Sequence, residues 1–154
     1  MPLAPLDTIR ERVGEEVGVS GWFEIDQDRI NAFAEATEDR QFIHIDPDAA
    51  SAAGLGGTIA HGFLTLSLLS RMGAEAMILP EGIAMVFNYG FDRIRFLAPV
   101  GAGKRVRARF RLEGIDEKRP GQYLFRHDVT VEIEDEDKPA LTALWLALVV
   151  TQEK

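Results

Sequence analysis

Cysteine is absent from this 154-residue chain, which excludes disulfides, thiolate metal sites and a cysteine nucleophile together. A basic excess is also missing. With 25 acidic against 17 basic side chains the formal net charge is −8, the wrong sign for a nucleic-acid surface. The same charge disfavours an anionic ligand unless positive charge is concentrated locally. No basic start with an apolar stretch opens Met1-Pro2-Leu3-Ala4-Pro5-Leu6-Asp7, so no secretory signal is read there. The longest apolar run, Ala143 to Val150, is too short to span a bilayer, and a cytoplasmic location is expected. Tandem repeats, low-complexity tracts, linkers and metal-ligand clusters are missing too. A single domain over residues 1–154 is expected, and 46% hydrophobic residues suffice for a core.

Patterning gives the elements. Val17 to Ile25 reads as a first strand. Asp26 is a good N-cap for a helix to about Thr37, with Ile30, Phe33, Ala34 and Thr37 on one buried face. Pro47 opens a short helix through Ala53, capped by Asp46, and Gly54, Gly56 and Gly57 break it. From about Ala60 to Ile78 runs a long helix, apolar nearly all round, as a helix buried on most sides would be. The period then changes to two. Ile83 to Phe96 switches its apolar parity near Gly90 to Asp92, which predicts a bulge. Lys104 to Leu112, Tyr123 to Ile133 and Leu141 to Val150 are further strands. The expected class is α+β, an antiparallel sheet curled round a helix, with a second subunit needed to cover the apolar surface left over.

The chemistry concentrates between residues 37 and 62. Asp39 and His44 lie five residues apart in an irregular segment, and a glycine-rich stretch then leads into the most apolar helix. On spacing alone two readings stand: Asp39 caps a turn beside a hydrogen-bonded His44, or the two form an acid–base pair. Gly62 at the helix start offers an unpaired N–H to a developing oxyanion, with no side chain to block approach. His61 and His127 read as structural. Arg105, Arg107, Arg109 and Arg111 share one strand face, either holding the phosphates of coenzyme A or pairing with acids of a neighbouring strand.

Asp39-Arg40-Gln41-Phe42-Ile43-His44, five further residues, Ala50, and then Ile59-Ala60-His61-Gly62 resemble the MaoC-like hydratase family of hot-dog-fold proteins, the (R)-specific enoyl-CoA hydratases. Gln-Phe-Ile-His followed by His-Gly-Phe-Leu-Thr-Leu-Ser is most similar to the branch named after nodulation protein N. The family's motif usually has glycine, asparagine and proline where this chain has Glu38, Gln41 and Phe42. The resemblance implies a hot-dog fold, an antiparallel sheet wrapped round a long central helix, and a homodimer. It also implies the reaction. Asp39 and His44 would activate water for addition to C3 of a trans-2-enoyl-CoA, giving the (R)-3-hydroxyacyl-CoA, while the Gly62 amide binds the thioester oxygen. Gln41 would supply an amide to the site, and Ser70 matches a serine near it. Coenzyme A enters as part of the substrate, and neither a further cofactor nor a metal is expected. A thioesterase and a non-catalytic acyl-thioester binding module are the alternatives.

Overall fold

The long strands wrap the helical segment as the alternation of their apolar residues requires. A computed structural model describes residues 2–152. Its elements in order are β1 (Leu3–Ala4), α1 (Leu6–Arg10), β2 (Glu16–Val19), β3 (Phe23–Ile25), α2 (Gln27–Thr37), α3 (Phe42–Ile45) and α4 (Pro47–Ala52). Then follow α5 (Gly62–Ser67), α6 (Leu69–Ala76), β4 (Leu79–Pro80), β5 (Ile83–Phe96), β6 (Lys104–Arg119), β7 (Gln122–Ile133) and β8 (Leu141–Thr151). The main sheet has the order β2-β6-β7-β8-β5, with β3 also on β6, and its neighbours are antiparallel. A small parallel pair, β1 with β4, ties the N-terminus to the end of α6.

Side-chain alternation decides which sheet face is inside. Val106, Ala108, Phe110 and Leu112 of β6 are buried, and so are Val129, Val131 and Ile133 of β7 and Leu141, Ala143, Ala147 and Val149 of β8. Leu64, Leu69, Met72 and Ala76 of α5 and α6 join the same core. Burying a side chain of this size contributes about 1.5–3 kcal/mol, so this contact is where the fold's stability is concentrated. The helix comes very close to the sheet at one place. A Cβ on Gly18 would stand 2.1 Å from the Ala76 carbonyl oxygen, so only glycine lets β2 pass the end of α6.

Several expectations need correcting. The strand expected over 17–25 is two, because the chain bends at Ser20-Gly21, where Ser20 Oγ takes up the Ala108 N–H (3.0 Å) in place of a ladder bond. The long central helix runs as α5 and α6, interrupted at Leu68, whose φ and ψ of −68° and −14° are closer to a tight turn than to an ideal helix. It is not buried on most sides, since Phe63 is 68% exposed. β6 continues through Arg119, and the turn falls at Pro120-Gly121, because β7 supplies partners out to Gln122. The bulge expected near Gly90 is present, as register shifts against β8 at Asn88/Gly90 and Phe91/Arg93. β8 lies between β7 and β5, as an apolar strand should. β5 forms one edge of the sheet, with Met85, Val86, Phe87, Tyr89 and Phe96 exposed.

Candidate active site

Asp39 stands where it does because α2 ends abruptly. Asp26 caps the start of α2 through the Arg29 N–H (2.8 Å), and Glu38 closes its end in the left-handed region at φ +62°. A side chain is strained there, which is the physical reason a glycine suits this position. The chain then turns back along the helix. Arg40 folds onto Glu35 (2.9 Å), and that hydrogen bond holds the Glu35 carboxyl below its usual range and keeps the guanidinium away from Asp39. Asp39 is exposed, and its Oδ1 accepts only a long bond of 3.4 Å from the Gln41 N–H.

His44 follows in the single turn α3. Asp46, as expected, caps α4 by accepting the Ala49 N–H at 3.0 Å. Two contacts fix the His44 segment: the Ile59 N–H donates to Ile43 O (3.0 Å), and Gln27 Nε2 donates to His44 O (2.7 Å). Gln27 Oε1 in turn accepts from the Thr58 hydroxyl, which ties α2, α3 and the segment before α5 together. Sequence reasoning misses Gln27, since a glutamine at the start of a helix carries no pattern of its own. The His44 ring is buried, with Nδ1 2.7 Å from the Ile59 carbonyl oxygen. A carbonyl can only accept, so Nδ1 carries the hydrogen and Nε2 keeps a free lone pair.

Gly62 opens α5, where its N–H has no intrahelical acceptor. A Cβ at this position would press on the Phe96 ring at 2.9 Å, so glycine keeps the space between helix and ring. That space is part of a cavity of about 280 Å³ lined by His44, Gly62, Thr65, Phe96, Val100 and Leu141 among others. His44 and Thr65 are the polar side chains on its otherwise apolar wall.

The structure therefore brings Asp39 and His44 together with His61, a residue the sequence reading set aside. One ligand-type atom from each of the three lies within 4.8 Å of the others. The cavity itself is lined by His44 and not by Asp39, which is exposed. Other expected residues stay apart. Gln41 is exposed at the start of α3, with no side-chain capping bond. Ser70 is exposed on α6 and lines a separate groove with Gly73, Met77, Asn88 and Trp145. Arg105 and Arg107 are on the far face of β6, paired with Glu134 in the turn after β7 and with Glu132 of β7. Arg109 shares Glu132 at 2.6 Å and also reaches Glu16. Desolvation would raise the Glu132 pKa, yet the bonds from Arg109 and Arg107 leave it below the usual carboxylate value.

The model of the MaoC like domain matches residues 8–134. The chain belongs to the MaoC-like dehydratase family. Among its MaoC-like relatives, nodulation protein N of Rhizobium meliloti (strain 1021) is 51% identical over 144 residues, 93% of this chain and 89% of that protein. The 3-hydroxyacyl-thioester dehydratase Z of Mycobacterium tuberculosis (strain ATCC 25618 / H37Rv) is 45% identical over 130 residues, 84% of this chain and 85% of the other. The fold is the hot-dog fold. The solved (R)-hydratase from A. caviae involved in PHA biosynthesis superposes with a TM-score of 0.69 at 24% identity, over 89% of this chain and 97% of that one. Hydratase and dehydratase chemistry is thus the family's, and among the described residues no helix is long and apolar enough to cross a membrane.

Proposed function

We propose that this MaoC-like protein adds water to trans-2-enoyl-CoA thioesters to give (R)-3-hydroxyacyl-CoA, or removes it in the reverse direction. The supporting observation is the closeness of the Asp39 carboxylate to the His44 ring, whose free Nε2 belongs to a buried side chain lining an apolar cavity. A lone pair fixed in tautomer by a backbone carbonyl is a general base awaiting a proton. In this reading Asp39 and His44 hold one water between them. His44 Nε2 takes a proton as the water oxygen bonds to C3, and the C2–C3 π electrons move toward the thioester carbonyl. The Gly62 N–H donates to that oxygen as its negative charge grows. A proton is then returned to C2, and base and acid are restored. The apolar wall accommodates the acyl chain.

Asp39 is open to solvent in the isolated subunit, and low dielectric is what makes such a pair effective. A second copy of the chain supplies the cover in this proposal. Its docking surface is the exposed apolar edge around Phe63, Met85, Phe87, Tyr89 and Phe96. No further cofactor takes part. The name of the Mycobacterium tuberculosis relative, a 3-hydroxyacyl-thioester dehydratase, describes the same chemistry read backwards. A panel of enoyl-CoA esters tests the proposal, with enoyl absorbance, thiol release and product chirality followed together. Loss of enoyl absorbance with an (R)-3-hydroxy product and no free thiol is expected. Thiol release with the enoyl group intact would make the protein a thioesterase, and saturable binding without turnover would make it a non-catalytic acyl-thioester binding module.

A further inference from the structure

His61 touches all three parts of the proposed machinery. Its Nε2 lies 2.9 Å from the backbone carbonyl oxygen of Asp39, to which it must donate. Its ring stacks on that of His44, with centroids 3.8 Å apart and planes inclined by 23°. Phe33 approaches the same imidazole at 4.9 Å in a tilted arrangement. The next residue is Gly62, and the His61 carbonyl accepts the N–H groups of Leu64 (3.0 Å) and Thr65 (3.3 Å) that begin α5.

The side chain is 2% exposed, and its Nδ1 is buried without any partner among the described residues. An imidazole kept only to fill space would be a poor choice, because a phenyl ring fills the same volume without leaving a dry acceptor unpaired. The polar ring is retained against that cost, and its two useful features both point at the site. One is the N–H that fixes the Asp39 backbone. The other is a π face laid against the ring that must become cationic during turnover.

We infer that His61 is a positioning residue for the reaction, holding the backbone of Asp39 by a hydrogen bond and supporting the imidazolium of His44 by stacking. The inference rests on the hydratase reading above. When His44 Nε2 takes a proton from water, its Nδ1–H stays on the Ile59 carbonyl and its positive charge spreads over the ring. A neutral aromatic face at stacking distance stabilises such a cation, more so where water is excluded. The Nε2–H of His61 is already committed to the Asp39 carbonyl, and the face of the ring is what it presents to His44.

Three variants of the full chain separate the two features. His61→Phe keeps a ring and loses the N–H; His61→Gln offers an amide N–H and loses the ring; His61→Ala loses both. Steady-state hydration kinetics and thermal melting are measured on each, beside Asp39→Asn in the same assay. The expected result for His61→Ala is a fall in kcat of about 100-fold with KM within about threefold, the scale of a small misplacement of reacting groups. His61→Phe and His61→Gln each recover about tenfold of that loss. A filler role predicts the opposite: altered melting temperatures and an unchanged kcat per folded molecule, with His61→Phe fully active. That outcome, with Asp39→Asn inactive, overturns this inference alone. Should Asp39→Asn itself keep the wild-type rate, the hydratase reading falls and this inference with it. If His61→Ala does not fold, the Phe and Gln variants carry the test, and a wild-type kcat in both overturns the proposal.

Discussion

The arginine face of β6 stands out in the sequence and the histidine pair beside α5 only in the structure, and the two clusters part company over what their side chains are paired with and what they border. Arg105 and Arg107 face glutamates across the strand pair, and Arg109 reaches one diagonally, at spacings an antiparallel ladder provides without further design. Arg105 spends Nε and Nη2, Arg107 spends Nε, and Arg109 spends Nε and Nη1, all on glutamates. His44 and His61, by contrast, each commit one nitrogen to a backbone carbonyl and leave the other free. Free capacity alone is not enough, as the third histidine teaches. His127 Nδ1 also has no partner among the described residues, but its ring packs against Phe110 and Phe125 and lines no cavity described above. A functional reading takes both an unspent atom and a space in which a ligand can meet it.

Three experiments would sharpen or break that contrast. The largest effect belongs to the site: Asp39→Asn and His44→Gln should each lower the hydration kcat by about 10³-fold, within the range for loss of a general acid or base, with the melting temperature little changed. The second concerns His127. Burial pushes its pKa down from 6.5 to about 4, so the unfolded chain takes up a proton there well before the folded one does. Stability should therefore fall as pH drops from about 6.5 towards 4, by about 3 kcal/mol at most from this residue. In His127→Phe, urea unfolding should show a flatter acid limb and unchanged kcat at pH 7. A large kcat loss in that variant would undo the distinction between the histidines. The smallest effect is expected on the arginine face. Arg105→Gln and Arg107→Gln should leave KM for an enoyl-CoA within about twofold, since both guanidiniums are paired with glutamates and neither lines the cavity beside His44. A tenfold rise in KM would make the face a phosphate site after all.

How legible all this was depended on the range of the forces involved. Period-2 alternation marks the buried face of β6 because each side chain's fate is set by its own strand, and Asp26 and Asp46 cap helices as local chemistry requires. The break between β2 and β3 at Ser20 could not be read, because the bond that replaces the ladder there comes from 88 residues away. The interruption at Leu68 is equally silent, for nothing in an apolar run distinguishes one turn from the next. At the site, Asp39, His44 and Gly62 were visible through the family motif. His61 belonged to the same motif, and only the folded chain shows its ring lying on His44. Gln27 joins α2 to the His44 backbone across 17 residues and left no trace in composition or spacing.

The central claim, that Asp39 and His44 serve a single water molecule as one unit, is tested most directly by the double variant Asp39→Asn/His44→Gln in single-turnover hydration. Groups acting as a unit are strongly non-additive, so the double variant should be within about threefold of the slower single variant. Losses that multiply, giving about 10⁶-fold, would show two independent contributions and contradict the account.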